Sequence, residues 1–191
     1  MQITRGIQPR DHVYHDSIKP NVIIYVRNKK FYYPTNNFKG QTAITYVDLR
    51  WKRRDIKTVS LLANVIAKKE ASKQNAYEAI LVENGKITEA TCSNVWIVKE
   101  NKLLTHPSNT DILKGITRET VKKIIKKNRL VLKETSFSKK ELYNADEVFI
   151  TSASSFVTPI IKIDSKLINK GKIGNISLQL ATLYSKLFID E

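Results

Sequence analysis

The chain has 191 residues, 41% of them hydrophobic, enough to enclose a substantial core, so a disordered or fibrous polypeptide is excluded. A formal charge of +15 raises the question of nucleic acid. Its lysines recur as Lys68-Lys69, Lys122-Lys123, Lys126-Lys127 and Lys139-Lys140 with no dense stripe or aromatic platform, so solvated helix faces account for them and nucleic-acid binding is not expected.

No apolar run approaches the roughly 18 residues of a membrane span. Met1-Gln2-Ile3-Thr4-Arg5 is not a secretory leader, and the expected location is the cytoplasm. A single cysteine, Cys92, and three scattered histidines leave no set for an internal disulfide or a metal centre, so none is expected.

In chain order, Lys19-Pro20 turns into Asn21-Val22-Ile23-Ile24-Tyr25-Val26, a β-branched run of the kind that lies inside a sheet. Residues 32–40, rich in Pro, Asn and Gly, read as a connector, and a domain boundary is expected near residue 34. Thr42 to Val47 predicts a strand that leads into Arg50-Trp51-Lys52-Arg53-Arg54-Asp55-Ile56-Lys57. A lysine becomes nucleophilic when nearby cations or a dry setting favour its neutral amine. Arg50, Lys52, Arg53 and Arg54 supply the cations. Val59, Leu61, Leu62, Val65 and Ile66 share a helical face that predicts burial of the helix start, in a helix running to about Gln74. On this segment alone, a solvated Lys57 remains open.

Residues 76–83 predict a strand, and Asn84-Gly85 is a strong hairpin signal. The return strand carries Thr88-Glu89 into the small, polar run Ala90-Thr91-Cys92-Ser93-Asn94, and Val95-Trp96-Ile97-Val98 follows as a further strand. Glu89 thus stands where a carboxylate can pair with a cationic ring nitrogen, or else is a surface hairpin residue. Leu113-Lys114-Gly115-Ile116-Thr117-Arg118 precedes a helix with Val121, Ile124 and Ile125 on one face. Free first-turn amides beside a glycine and a threonine suit a phosphate, although many helices begin this way merely as caps. Residues 131–137 predict a strand, Ser138-Lys139-Lys140-Glu141 a capping box, and Glu147 to Ile150 a buried strand ending in Thr151-Ser152-Ala153-Ser154-Ser155. Residues 157–163 form a strand whose Pro159 suggests an edge or a bend, and a helix over about 176–188 closes the chain.

Together, Asp55-Ile56-Lys57, Thr88-Glu89 with Ser93-Asn94, residues 113–118, the Thr151-Ser152 strand end, Leu104-Thr105-His106-Pro107 and Ala145-Asp146-Glu147 resemble the fold-type IV pyridoxal-phosphate enzymes over nearly the whole chain. The pattern is most similar to the D-amino-acid aminotransferases, with branched-chain aminotransferases and aminodeoxychorismate lyases as relatives. The resemblance implies an α/β fold: residues 34–191 as a large pyridoxal-phosphate-binding domain with a mixed, barrel-like sheet and surrounding helices, and residues 1–33 as a remnant of a small N-terminal domain. It also implies a homodimer and pyridoxal 5′-phosphate as cofactor, held through a Schiff base by Lys57, which also serves as general acid and base.

The resemblance further assigns Glu89 to the pyridinium nitrogen, Arg50 to a supporting role and Leu113 to packing under the ring. Ile116, Thr117, Ser152 and the backbone at Ala153 are assigned to the phosphate, and Arg10 and His12 to the substrate α-carboxylate. The implied reaction is amino transfer between a D-amino acid, such as D-alanine or D-glutamate, and a 2-oxo acid. Ser60 and Ala153 depart from the family pattern, and most of the small domain has no counterpart before Gln2. The expectation is therefore a truncated chain, or one completed by a separate polypeptide. The alternatives are a remnant that keeps the fold without turnover, a lyase of the aminodeoxychorismate type, or a branched-chain enzyme.

Overall fold

The computed structural model describes residues 1–28 and 38–188, and the chain divides into two compact units, Met1–Tyr33 and Pro34–Glu191. In the first unit, β1 (Gln2–Thr4) and β2 (Asn21–Ile23) pair antiparallel, with Ile3 opposite Val22. The sequence predicts Asn21 to Val26 inside a sheet. Instead Val22, Ile23, Ile24, Tyr25 and Val26 are all exposed, because a two-stranded ribbon has no second layer to cover its faces. The connector predicted over 32–40 lies mostly outside the described residues.

The second unit is built on a nine-stranded mixed sheet curled into a half-barrel. Its strands are β3 (Gln41–Val47), β4 (Glu78–Glu83), β5 (Lys86–Ala90), β6 (Asn94–Lys99), β7 (Lys102–Thr105), β8 (Val131–Glu134), β9 (Glu147–Ser152), β10 (Phe156–Ile163) and β11 (Lys166–Leu167). They are ordered β5-β4-β3-β10-β9-β6-β7-β8, with β11 on β10; β3 runs parallel to β4 and β10, and β7 parallel to β8. The β4–β5 turn is the predicted hairpin, with Asn84 and Gly85 at φ +49° and +73°, the left-handed pair that a type I′ turn requires. Among the described residues four α-helices accompany the sheet: α1 (Leu62–Lys73), α2 (Ile116–Lys127), α3 (Lys139–Tyr143) and α4 (Asn175–Lys186).

Both faces of the sheet are buried at its centre, which explains the unbroken apolar run Val95 to Val98. Val95 and Ile97 join Ile87, Phe137, Leu142, Ile150 and Ile163 on one face. Trp96 and Val98 face Val121, Ile125, Phe149 and Leu180 under α2 and α4. Trp96 stacks on its register partner Phe149 at 5.5 Å between centroids. The Ser138 capping box forms as predicted, with Glu141 N–H donating to Ser138 Oγ at 3.1 Å and the Ser138 amide donating to Glu141 Oε2 at 2.7 Å.

Two expectations are corrected here. Of the edge or bend suggested by Pro159, the edge is not found: β10 is central, and β3 pairs with it only from Ile160 onward, across an irregular register. In α1, the apolar row inferred from periodicity exists but points away from the sheet. Val59, Leu61, Leu62, Val65 and Ile66 are exposed, and α1 lies on Ile44, Ala79 and Leu81 through Ala67 and Ala71 on its opposite side. Small side chains one turn apart let the helix approach the strands closely, so the larger residues are left outside.

Candidate active site

Glu89 is placed by a bulge. Ile80 faces Ala90 and Val82 faces Ile87, so Leu81 alone lies opposite both Thr88 and Glu89. The extra residue re-aims the strand locally, and Thr88 and Glu89 are both buried. The surface-hairpin alternative for Glu89 is thereby overturned. Its carboxylate accepts from Arg50 Nη1 at 2.5 Å, from Asn94 Nδ2 at 3.0 Å and from the Leu113 amide at 3.1 and 3.2 Å. Burial pushes the carboxyl up to about 7, against the opposing pull of Arg50 and the Leu113 amide.

Arg50 is in turn held by Asp48, at the end of β3. Its Nε and Nη2 donate to the two carboxylate oxygens at 2.9 and 2.8 Å, and Thr88 Oγ1 adds a bond to Asp48 at 2.7 Å. Burial pushes Asp48 up, but the Arg50 and Thr88 bonds outweigh it and hold the group below the usual carboxylate value.

Asn94 joins this corner to the next element: its Nδ2 also donates to the Leu113 carbonyl at 2.8 Å. Two residues on, Gly115 opens α2. A Cβ there would lie 2.4 Å from Asn94 Oδ1, so a glycine is what lets the helix start approach. No side chain caps α2, and its first-turn amides remain available. Ile116 is exposed there, and Thr117 is buried with its hydroxyl 3.4 Å from Tyr184 OH. On β9, Thr151 is the register partner of Asn94. Ser152, at the strand end, meets the Ser155 hydroxyl at 2.7 Å and accepts from the Ser155 amide at 3.1 Å, while Ala153 is exposed in the turn to β10. The structure thus gathers Arg50, Glu89, Leu113 and the start of α2 into one corner, with the end of β9 beside it.

Lys57 lies exposed in the connection between β3 and α1, and neither half of its predicted setting is found. The apolar row after it faces outward. Each of the four neighbouring cations has a carboxylate partner: Arg50 with Asp48 and Glu89, Lys52 and Arg54 with Glu83, Arg53 with Asp55. The segment is fixed to the corner through the Arg54 amide, which donates to the Thr110 carbonyl at 2.9 Å. Arg10 and His12 are exposed in the first unit. The sequence reading missed Asp48. Its signal was an acid two residues before Arg50 at the close of an apolar strand, a spacing that allows a local pair.

Comparison with known proteins identifies the family. The model of the class IV amino-transferases matches residues 1–163, and the chain belongs to that family. It is 40% identical over 196 aligned residues to a D-alanine aminotransferase of Bacillus licheniformis, covering all of this chain and 67% of that protein. It is 42% identical over 182 residues to one of Listeria monocytogenes, covering 94% of this chain and 63% of that one. The chain therefore spans about two thirds of the length of these relatives. Among solved structures, a T.th. branched-chain amino acid aminotransferase, complexed with N-(5′-phosphopyridoxyl)-L-glutamate, superposes with a TM-score of 0.72 at 30% identity, over 76% of this chain and 51% of that one. The enzyme from Thermobaculum terrenum (M4 mutant) gives 0.77 at 26%, over 83% and 55%.

The cofactor of this family is pyridoxal 5′-phosphate, and the donor set of the corner fits it. A buried carboxylate suits a protonated ring nitrogen, and an uncapped helix start at a glycine suits a phosphate dianion. No helix among the described residues is long and apolar enough to cross a membrane.

Proposed function

We propose that this protein transfers an amino group between a D-amino acid, such as D-alanine or D-glutamate, and a 2-oxo acid, with pyridoxal phosphate held covalently by Lys57. The observation that carries the reading is the buried Glu89 carboxylate, fixed from three elements beside an open helix start. The match to D-alanine aminotransferases, over all of this chain and 67% of the Bacillus licheniformis protein, supports the substrate class. When bound, the cofactor supplies an electron sink for the substrate's α-carbanion.

The chain's residues do the rest. Glu89 would accept a hydrogen bond from the protonated ring nitrogen, with Arg50 beside it, and Leu113 would pack against the ring. The amides of Ile116 and Thr117, the Ser152 hydroxyl and the Ala153 backbone hold the phosphate. Lys57 would take the proton from the substrate α-carbon and deliver it to the C4′ carbon of the cofactor. Arg10 and His12 receive the α-carboxylate, for which the planar guanidinium of arginine offers two parallel donors. A cytoplasmic homodimer is part of the same reading, and the outward apolar row of α1 is a surface that such an interface would cover.

A second reading, cofactor binding without turnover by this chain alone, is favoured by one observation. None of the described residues of Met1–Tyr33 is buried, so the unit that carries Arg10 and His12, taken as the remnant of the small domain, has no core of its own. A separate chain supplying the remainder is part of this reading. Borohydride reduction after pyridoxal phosphate is added, followed by peptide mass spectrometry, tests both. Modified Lys57 together with amino transfer from D-alanine to 2-oxoglutarate supports the first reading. Modified Lys57 without transfer supports the second, and unmodified Lys57 at saturating cofactor rejects both.

A further inference from the structure

Asp48 and Glu89 share one cation, unequally. Arg50 gives Asp48 three bonds, from its backbone amide at 3.1 Å, Nε at 2.9 Å and Nη2 at 2.8 Å, but gives Glu89 only Nη1, at 2.5 Å. The side chains are all but closed to water, with 0%, 10% and 5% of Asp48, Arg50 and Glu89 exposed. Behind them, Arg54 Nε is 3.5 Å from Asp48 Oδ2, while both Nη atoms of Arg54 are bound to Glu83. The other contacts of Glu89, Asn94 Nδ2 and the Leu113 amide, carry no charge.

By direct hydrogen bonds two carboxylates share the one guanidinium of Arg50, with Arg54 as a second cation at 3.5 Å from Asp48. The arrangement has a chemical consequence that a simple Arg50–Glu89 pair would not have. A lone carboxylate beside a lone guanidinium is neutral overall and leaves little field to hold a further proton nearby. With the Nε–Nη2 fork of Arg50 taken up by Asp48, the charge of Arg50 is shared rather than given to Glu89 alone, and more of the Glu89 charge is left unneutralised. Low dielectric strengthens its action on a cation placed against Glu89.

We propose that Asp48 is a positioning residue for the reaction: by holding the Arg50 fork it reserves the charge of Glu89 for a protonated pyridine nitrogen. This rests on the reading of Glu89 as the partner of that nitrogen. A merely structural Asp48, closing the end of β3, would alter stability when replaced but would leave the titration of Glu89 where it is.

The experiment is a carboxyl-carbon NMR titration of Glu89 in the full chain without added cofactor, for the unmodified protein, Asp48→Asn and Arg54→Gln. It is joined by nitrogen NMR of ring-labelled pyridoxal phosphate bound to the same proteins and to Glu89→Gln. Asp48→Asn removes a neighbouring negative charge and leaves Arg50 to Glu89 alone, so the acid dissociation constant of Glu89 should rise by about tenfold and the ring nitrogen should lose its proton more readily. Arg54→Gln removes the cation beside Asp48, so Glu89 should move in the opposite direction, and that variant carries the test if Asp48→Asn does not fold. An unmoved Glu89, or both variants moving it the same way, overturns the proposal. A ring nitrogen that responds to Glu89→Gln but not to Asp48→Asn overturns the proposal alone. A ring nitrogen indifferent to Glu89→Gln overturns the reading of Glu89, and the proposal with it.

Discussion

Glu89 and Leu113 are 24 residues apart and are tied twice, once by the Leu113 amide, which donates to both carboxylate oxygens at 3.1 and 3.2 Å, and once through Asn94, which bonds the Glu89 carboxylate and the Leu113 carbonyl with one nitrogen. The carboxylate is thus presented by a strand but oriented by a loop. Its protonation should reach the stability of the whole unit.

The sign of that effect follows from the raised value. Glu89 moves from 4.5 to about 7 on folding, so the folded state holds the proton more tightly than the unfolded one. Its contribution is fully present below about pH 4.5 and is lost as pH rises through about 7, because the ionised form must be kept in a buried setting. Removing the titration should flatten the pH profile across that window by an amount on the order of 3 kcal/mol at most. Urea unfolding of the unmodified protein and Glu89→Gln at several pH values measures this. Parallel profiles would rule it out.

Gly115→Ala should damage two properties at once. The new Cβ would sit 2.4 Å from Asn94 Oδ1, so Asn94 must move and its bonds to Glu89 and Leu113 must stretch. The expected loss of stability is about 1–3 kcal/mol, as for other small-to-large changes in a packed setting. Pyridoxal phosphate should also bind more weakly, because the same shift moves the start of α2. Thermal unfolding and a cofactor titration check the two effects. An unchanged melting temperature with unchanged affinity would show that the glycine is dispensable.

The outward row of α1 gives a prediction about assembly. Leu62 and Ile66 are 74% and 45% exposed and lie outside the buried clusters, so replacing both with glutamate removes little internal packing. If they lie in a homodimer interface, the double variant should sediment as a monomer where the unmodified chain is a dimer. Unfolding of the dilute monomer should change by only about 0.5 kcal/mol, as for other exposed positions. An unmodified chain that is itself monomeric, or a double variant that stays dimeric, would exclude this face.

Much of this unit was legible in its sequence, for local reasons. Asn84-Gly85 can form little other than its turn, Ser138 with Glu141 sets a helix start, and Val95 to Val98 is apolar throughout because both faces of β6 are covered. What the sequence could not show was decided by contacts distant along the chain. The apolar row of α1 reads as a core face, and only the strands beneath Ala67 and Ala71 reveal that the helix lies the other way up. Asp48 reads as an ordinary strand-end acid until Thr88, 40 residues later, is folded onto it. The bulge that sets Thr88 and Glu89 opposite Leu81 is a property of strand pairing and has no local signal.

The final helix depends on Glu147, and through it so does the proposed phosphate site. The carboxylate accepts from the Ile176 amide at 3.0 Å and from the Ser177 amide and hydroxyl at 2.7 Å each, supplying from β9 the cap that the sequence before α4 lacks. Gly174 makes room for it, since a Cβ there would lie 1.9 Å from the Glu147 carboxyl carbon. Glu147→Ala leaves buried donors unpaired and should cost about 2–4 kcal/mol. Glu147→Gln, which keeps one acceptor oxygen, should cost less. Because Tyr184 of α4 reaches Thr117 in the first turn of α2 at 3.4 Å, loosening α4 should also weaken pyridoxal phosphate binding, although Glu147 itself is not among the residues proposed to hold the cofactor. Urea unfolding should rank the unmodified chain above Gln and Gln above Ala, with cofactor affinity in the same order. Affinity that is indifferent to both substitutions would separate the cap of α4 from the phosphate site.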